Sequence, residues 1–313
     1  MVEEVSLRET YGKVLVELGR ENPDIVVLDA DLSPSTMTGY FMKEFPQRFF
    51  EVGIAEQNMI GIAAGLAASG KIPFASTFAV FAPGRCFDQI RVSVAQSKLN
   101  VKIVVTHAGV TVGEDGATHE ALEDLSLICS LPGFTVIVPA DAIETAQAIR
   151  AVAAHFGPCY VRLCRPKLPL VYSPDYRFDI GKAVQLRPGG DVTVIAIGVM
   201  VTQGLQAAAE LEKEGIDCRV INMPTLKPLD EQSIIKAARE TGAIVTAEEH
   251  QEYGGLGSAV ARVVARTSPV PMEFVAVKDT FGGSGKPEQL LAKYGLTARD
   301  IAGAIRKVIE RKG

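Results

Sequence analysis

Gly53-Ile54-Ala55-Glu56-Gln57-Asn58-Met59 runs directly into Ile60-Gly61-Ile62-Ala63-Ala64-Gly65-Leu66-Ala67-Ala68-Ser69-Gly70. The stretch sets one carboxylate at the head of a helix built from small residues. Glycine and alanine let another backbone approach closely, so Glu56 is expected where water is scarce. A carboxylate in such a place costs several kcal/mol unless a specific partner meets it. That partner is either a protein group, which makes Glu56 a structural cap, or a ligand nitrogen, which makes it a binding residue.

Outward from this helix, short β-branched runs alternate with Ala/Leu/Glu-rich segments. Strands are predicted at Ile25–Leu28, Lys102–Thr106, Thr135–Val138, Cys159–Leu163, Val192–Ile197, Cys218–Asn222, Ala243–Ala247 and Met272–Val277. Helices are predicted at Ala142–His155, Thr202–Glu214, Asp230–Thr241 and Ser258–Arg266. Apolar strands alternating with helices imply an α/β fold whose parallel sheets are covered on both faces. A chain of 313 residues has the length of about two domains. Pro166, Pro169, Pro174, Pro188, Gly189 and Gly190 mark a surface connection. The expected division is a first domain at 1–172, a linker at 173–189 and a second domain at 190–313. Each domain should be a mostly parallel sheet flanked by helices.

The net charge of −5 offers no basic face for a phosphodiester backbone, so nucleic acid is not an expected partner. Local basic clusters around a small phosphorylated ligand remain compatible with it. The five cysteines are odd in number, irregularly spaced and without Cys-x-x-Cys, which points to a reducing compartment rather than a disulfide frame or zinc site. Met1-Val2-Glu3-Glu4-Val5 is acidic and lacks the apolar core of a signal peptide. No apolar run approaches about 18 residues, so no membrane span is expected. A soluble, cytoplasmic protein is expected.

Thr77-Phe78-Ala79-Val80-Phe81 places two aromatics three apart, a spacing that shares one side of a helical turn. Such a pair either fills the core or walls a pocket for a flat heteroaromatic ring. Thr106-His107-Ala108-Gly109-Val110-Thr111-Val112-Gly113-Glu114-Asp115-Gly116-Ala117-Thr118-His119 begins at the C-terminal end of a predicted strand, where open α/β sheets place ligands. Two of the four histidines lie in this glycine-rich loop, and with Asp115 they supply groups that bond hydroxyls or phosphate. His107 and His119 lack the i,i+4 spacing of a helical zinc pair, so no metal site is assigned to them.

Asp31-Leu32-Ser33-Pro34-Ser35, Gly53–Met59, Thr77–Phe81, His107, Gly113–His119 and Pro139-Ala140-Asp141 occur in the order found in transketolases. The chain resembles the second part of a transketolase nearly end to end. The family's Gly-Asp-Gly and downstream Asn-Asn, which hold Mg²⁺ and the diphosphate, are not found in it, and Gly113-Glu114-Asp115-Gly116 is a different run. The resemblance implies a pyrimidine-binding domain followed by the transketolase C-terminal domain. It implies thiamine diphosphate as cofactor, with Mg²⁺ held mainly by a separate N-terminal diphosphate-binding subunit in an α2β2 assembly. The activity implied is transfer of a two-carbon ketol unit between sugar phosphates, as in the pentose phosphate pathway.

Position by position, the resemblance assigns Glu56 to the bond with N1′ of the aminopyrimidine and Phe78 and Phe81 to the wall around that ring. Asp31 falls close to the cofactor, and Asp115 falls at the substrate C2 hydroxyl. His119 falls near the reacting carbons, so Glu56 and His119 are the candidate catalytic residues. Arg8, Ser35, His107 and Arg165 fall where the family binds the sugar phosphate. The guanidinium fork suits a phosphate because its donors are paired, although Arg165 also reads as a solvated linker arginine. Gly84 stands where the family often has a third aromatic.

Neighbouring families fit less well. 1-Deoxyxylulose-5-phosphate synthase usually carries Asp-Arg where this chain has Thr106-His107. The β subunit of 2-oxo-acid dehydrogenases lacks the Gly-Glu-Asp-Gly-x-Thr-His loop. A non-catalytic scaffold or a plain thiamine-binding protein is the alternative from another class, but a scaffold needs none of Glu56, His107, Asp115 and His119. In the second domain, Glu248–Ser258 ends a strand and opens a Gly-rich helix, which is either an anion site or, as expected here, a packed turn at a dimer contact. Phe281-Gly282-Gly283-Ser284-Gly285-Lys286-Pro287 lacks the first Gly and the Ser/Thr of a P-loop. Glu212–Glu214 and Arg306–Lys312 read as solvated helix faces.

Overall fold

Runs of buried aliphatic residues build two large sheets, beside a two-stranded one. A computed structural model describes residues 3–312. The part of the N-terminal reading that falls on Met1 and Val2 lies outside the described residues. The strands are β1 Glu4–Ser6, β2 Ile25–Asp29, β3 Phe49–Glu51, β4 Ile72–Phe78, β5 Lys102–Thr106, β6 Thr135–Ile137 and β7 Cys159–Arg162. They continue as β8 Lys167–Pro169, β9 Val184–Arg187, β10 Val192–Ala196, β11 Cys218–Asn222, β12 Thr225–Lys227, β13 Ile244–Gln251 and β14 Met272–Val277.

The first sheet has seven strands in the order β12-β6-β7-β5-β4-β2-β3, and the second has five in the order β14-β13-β10-β11-β9. All neighbours are parallel except the edge strands β12 and β9. Every residue of β2, β5, β7 and β10 is buried, as strands covered on both faces require. Among the described residues no helix is long and apolar enough to cross a membrane.

The connection between the sheets differs from the linker expected at 173–189. Strand β9 lies inside that stretch and pairs antiparallel with β11. Pro188, Gly189 and Gly190 follow β9 rather than interrupt it. Gly189 lets the chain turn against β11, where an added Cβ would lie 2.3 Å from the Arg219 nitrogen. The chain between β8 and β9 is pinned by Asp141, whose carboxylate accepts from Val171 N at 2.7 Å and Tyr172 N at 2.9 Å. Its other oxygen caps the helix Ala142–Ala154 by accepting from Glu144 N at 2.8 Å. The buried Glu144 carboxylate then accepts from Asn222 of β11 at 2.9 Å and from the Tyr176 hydroxyl at 2.8 Å. Desolvation by burial pushes Glu144 up to about 7.

The small-residue helix spans Glu56–Ala68 and packs Met59, Ile60, Ala63 and Ala64 inward. Its close-packing potential is not used within the chain, because a Cβ on Gly61 or Gly65 would meet nothing within 4 Å. Strand β1 pairs with β8 and leads into the helix Leu7–Glu21. This pairing brings Arg8 close to Arg165, beyond the end of β7.

Candidate active site

The C-terminal ends of β2, β3, β4 and β5 converge, as ligand sites in open α/β sheets require. Beyond β2, the Asp29 carboxylate accepts from Leu32 N at 2.7 Å and from the Thr36 and Thr38 hydroxyls at 2.7 and 2.8 Å. These bonds fix the loop that carries Asp31 and Ser35. Burial pushes Asp29 up to about 6 against the pull of those hydrogen bonds. At the end of β3, Glu51 accepts from Asp31 N at 2.7 Å and Gly53 N at 3.1 Å, tying this loop to the approach of Glu56. Asp31 sits at φ +63°, tolerable for a short polar side chain.

Glu56 is the first residue of its helix and is 4% exposed. Its carboxylate accepts from Nη1 of Arg85 at 2.7 Å. The Arg85 guanidinium carbon lies 4.0 Å from the centre of the Phe81 ring. The expected helical turn at Thr77–Phe81 is instead the end of β4 followed by a tight turn. The two rings still meet, with centroids 5.7 Å apart and planes 16° from parallel. The strand aims Phe78 inward and the turn folds Phe81 back beside it.

His107 follows β5 and stacks on Phe78 at 3.8 Å. Its Nδ1 lies 2.9 Å from the Thr106 hydroxyl. Burial, then the charges of Arg8 and Arg165 and the neighbouring His119, push the imidazole down to about 3, so it is neutral at pH 7. Arg8 donates to the Ser35 carbonyl at 2.6 Å. Arg165 donates to the Val112 carbonyl at 2.5 Å and pairs with Glu114 at 3.2 Å. His119 stands edge-on to Phe81 at 5.5 Å and to Phe78 at 6.3 Å.

The geometry therefore brings together Glu56, Phe78, Phe81, His107 and His119, with Arg8 and Arg165 near His107 and Ser35 reached through Arg8. Asp31 and Asp115 are exposed on flanking loops. Sequence reasoning missed Arg85, Glu51, Glu120 and Glu249. Glu249 of β13 accepts from Thr111 N at 2.5 Å, and burial pushes it up to about 7. Glu120, next to His119, is pushed up to about 7 by burial against Gly282. Ser284 donates to the Glu114 carbonyl at 2.7 Å, so the Phe281–Pro287 stretch packs against the histidine loop. Glu248 accepts from Leu256 N at 2.7 Å and Gly257 N at 2.8 Å and so fills the helix start itself. Among the described residues no group of three or more His, Cys, Asp or Glu side chains is placed to hold a metal ion.

Residues 3–171 match the family model described as transketolase, pyrimidine binding domain, and residues 181–301 match the transketolase C-terminal domain. The chain belongs to the transketolase family. A protein described as a transketolase C-terminal section, from Methanocaldococcus jannaschii, is 47% identical over 98% of this chain and 97% of its own length. The 6-deoxy-6-sulfo-D-fructose transketolase subunit SqwH of Clostridium sp. (strain MSTE9) is 45% identical over 99% of this chain and 97% of its own. A solved structure described as a split gene transketolase, inactive beta4 tetramer, superposes with a TM-score of 0.93 at 54% identity, over 99% of this chain and 100% of that one. The α/β architecture of two domains is thus that of transketolases, which depend in general on thiamine diphosphate.

The residues present fit the pyrimidine half of that cofactor on one observation. A flat group with N–H donors already lies against Glu56 and the face of Phe81, namely the Arg85 guanidinium. An aminopyrimidine is likewise flat, and with a proton at N1′ it would donate an N–H hydrogen bond to the same carboxylate.

Proposed function

We propose that this chain is one subunit of a two-chain transketolase that transfers a two-carbon ketol unit between sugar phosphates. It supplies the pyrimidine-side wall and the substrate-facing residues. A separate diphosphate-binding subunit holds Mg²⁺ and the diphosphate, in an α2β2 assembly. The observation that carries this reading is the meeting of Glu56, the Phe78–Phe81 pair and the two histidines, with two arginines behind His107. A scaffold has no use for a buried carboxylate beside an aromatic wall. The five unpaired thiols support a reducing, cytoplasmic setting.

When bound, the cofactor supplies the electron sink for breaking and forming the carbon–carbon bond. Glu56 holds a proton at N1′ of the pyrimidine. Phe78 and Phe81 grip the ring by apolar contact and exclude water, and Asp31 borders the cofactor from the β2 loop. Arg8 and Arg165, with Ser35, hold the sugar phosphate, and the neutral His107 adds a hydrogen bond without repelling them. Binding energy from this remote phosphate is used to orient the reacting carbons. His119 handles the proton of a substrate hydroxyl, and Asp115 bonds the C2 hydroxyl once substrate draws the loop inward.

A ketol-transfer assay tests the proposal. Xylulose 5-phosphate, ribose 5-phosphate, thiamine diphosphate and Mg²⁺ are supplied to this chain alone and with its cognate diphosphate-binding subunit. Activity is expected only in the mixture, and Glu56→Ala should lower it by at least about 10²-fold. Product from pyruvate and glyceraldehyde 3-phosphate instead would make the enzyme a 1-deoxyxylulose-5-phosphate synthase. Silence in both assays with a verified assembly would make the chain a scaffold.

A further inference from the structure

The Arg85–Glu56 pair has a feature that an ordinary surface ion pair lacks. Its carboxylate side chain is 5% exposed, whereas its arginine is 47% exposed. Arg85 is the one side-chain hydrogen-bond partner of Glu56 among the described residues. The guanidinium carbon also lies over the Phe81 ring, 4.0 Å from its centre. The Arg85 backbone is anchored separately, because its carbonyl accepts from the Gln57 side chain at 2.8 Å and its N–H donates to the Phe81 carbonyl at 3.1 Å. Gly84 on one side has nothing within 4 Å of an added Cβ, and Cys86 on the other breaks the helix at φ −113°, ψ 16°. A half-exposed side chain on an anchored, kinked backbone swings away without disturbing the fold.

We propose that Arg85 is a built-in occupant of the pyrimidine berth, exchanged for the cofactor when the site is loaded. This rests on the reading of the site as a thiamine diphosphate site. A buried carboxylate must keep a partner at all times. In the free chain Arg85 is that partner, and it covers the aromatic face with a planar cation. The aminopyrimidine needs the same carboxylate and the same wall. Two flat groups cannot share them, so Arg85 competes with the cofactor and lowers its apparent affinity by the stability of the ion pair. The competition also keeps the empty site ordered.

The test is calorimetric titration of thiamine diphosphate with Mg²⁺ into the complex of this chain with its cognate diphosphate-binding subunit. Wild type, Arg85→Ala and Arg85→Lys are compared. Arg85→Ala should bind about tenfold more tightly than wild type. Arg85→Lys, which keeps the charge but loses the plane and the fork, should fall between them. In the free chain, thermal melts of Arg85→Ala, Glu56→Gln and the double variant should show coupling between the two sites, and in the loaded complex that coupling should vanish. Weaker binding by Arg85→Ala would overturn the proposal and make Arg85 a residue that holds the cofactor. Unchanged binding would reduce the contact to a surface ion pair. Failure of every variant, wild type included, to bind would bring down the cofactor reading and this inference with it. If Arg85→Ala does not fold, Arg85→Lys carries the comparison alone.

Discussion

His107 holds φ +57° at the end of β5, a backbone region that costs a non-glycine residue about 1–2 kcal/mol. The conformation turns its ring onto Phe78 and away from water, and it leaves the imidazole facing Arg8 and Arg165. Burial and these two cations hold it in the neutral form down to about 3. The unfolded chain releases its histidine proton near the ordinary value of about 6.5. Between those limits the unfolded state binds more protons than the folded one, so this group's stabilisation is complete above pH 6.5 and drains away as pH falls toward 3. Raised carboxylates such as Glu249 and Glu144 act in the opposite sense, losing stability as pH rises through about 7. The signature of His107 is therefore a difference between two profiles. Melting temperature against pH for wild type and His107→Gln should diverge below pH 6.5, with wild type falling more steeply. Parallel profiles would mean that folding leaves the proton affinity of the ring unchanged.

The loop between β5 and Asp124 is held by the second sheet as much as by its own. Gly109 sits at φ +78°, and an added Cβ would lie 2.2 Å from the Glu249 carboxyl carbon. Gly109→Ala should therefore destabilise the chain by about 2–4 kcal/mol, combining backbone strain with a clash. Denaturant melts check this, and a loss below half that range would show that β13 yields easily. The loop was legible as a candidate site because its glycines and histidines follow Lys102–Thr106, a strand whose bounds are those expected. Its ties to β13 were not legible, since Thr111 and Glu249 lie far apart in sequence and Glu249 reads as an ordinary polar residue. Strand β4 escaped notice because Pro73 argues against a central strand and Ala75-Ser76 weakens the β pattern. The aromatic pair Phe78 and Phe81 was read as a helical turn because spacing of three fits both a helix and a strand-to-turn corner. Arg85 gave no signal, as its meaning depends on the fold that brings it to Glu56.

At the scale of the molecule, the two sheets are interlocked rather than strung on a linker. Strand β12, which follows β11 of the second sheet, pairs with β6 of the first. Asn222 at the end of β11 bonds Glu144 beneath the first sheet. With the internal faces committed in this way, the unused surface of the helix Glu56–Ala68 stands out. Gly61 and Gly65 lie one turn apart on it with open space before them, while Ile54 just ahead is 75% exposed. Glycine inside a helix costs about 0.5–1 kcal/mol against a good helix former. Selection for the free chain would remove it, whereas close approach by another subunit would retain it. Gly65→Leu separates these alternatives because its two effects have opposite signs. Leucine propagates a helix well and its Cβ meets nothing within 4 Å, so the free chain should gain about 0.5–1 kcal/mol in denaturant melts. The same side chain would hold a docked subunit away, so assembly with the proposed diphosphate-binding subunit, followed by sedimentation, should weaken by at least about tenfold. A stabilised chain that still assembles with wild-type affinity would show that this face meets solvent in the complex, and the partner would have to approach Glu56 from the side of Gly84.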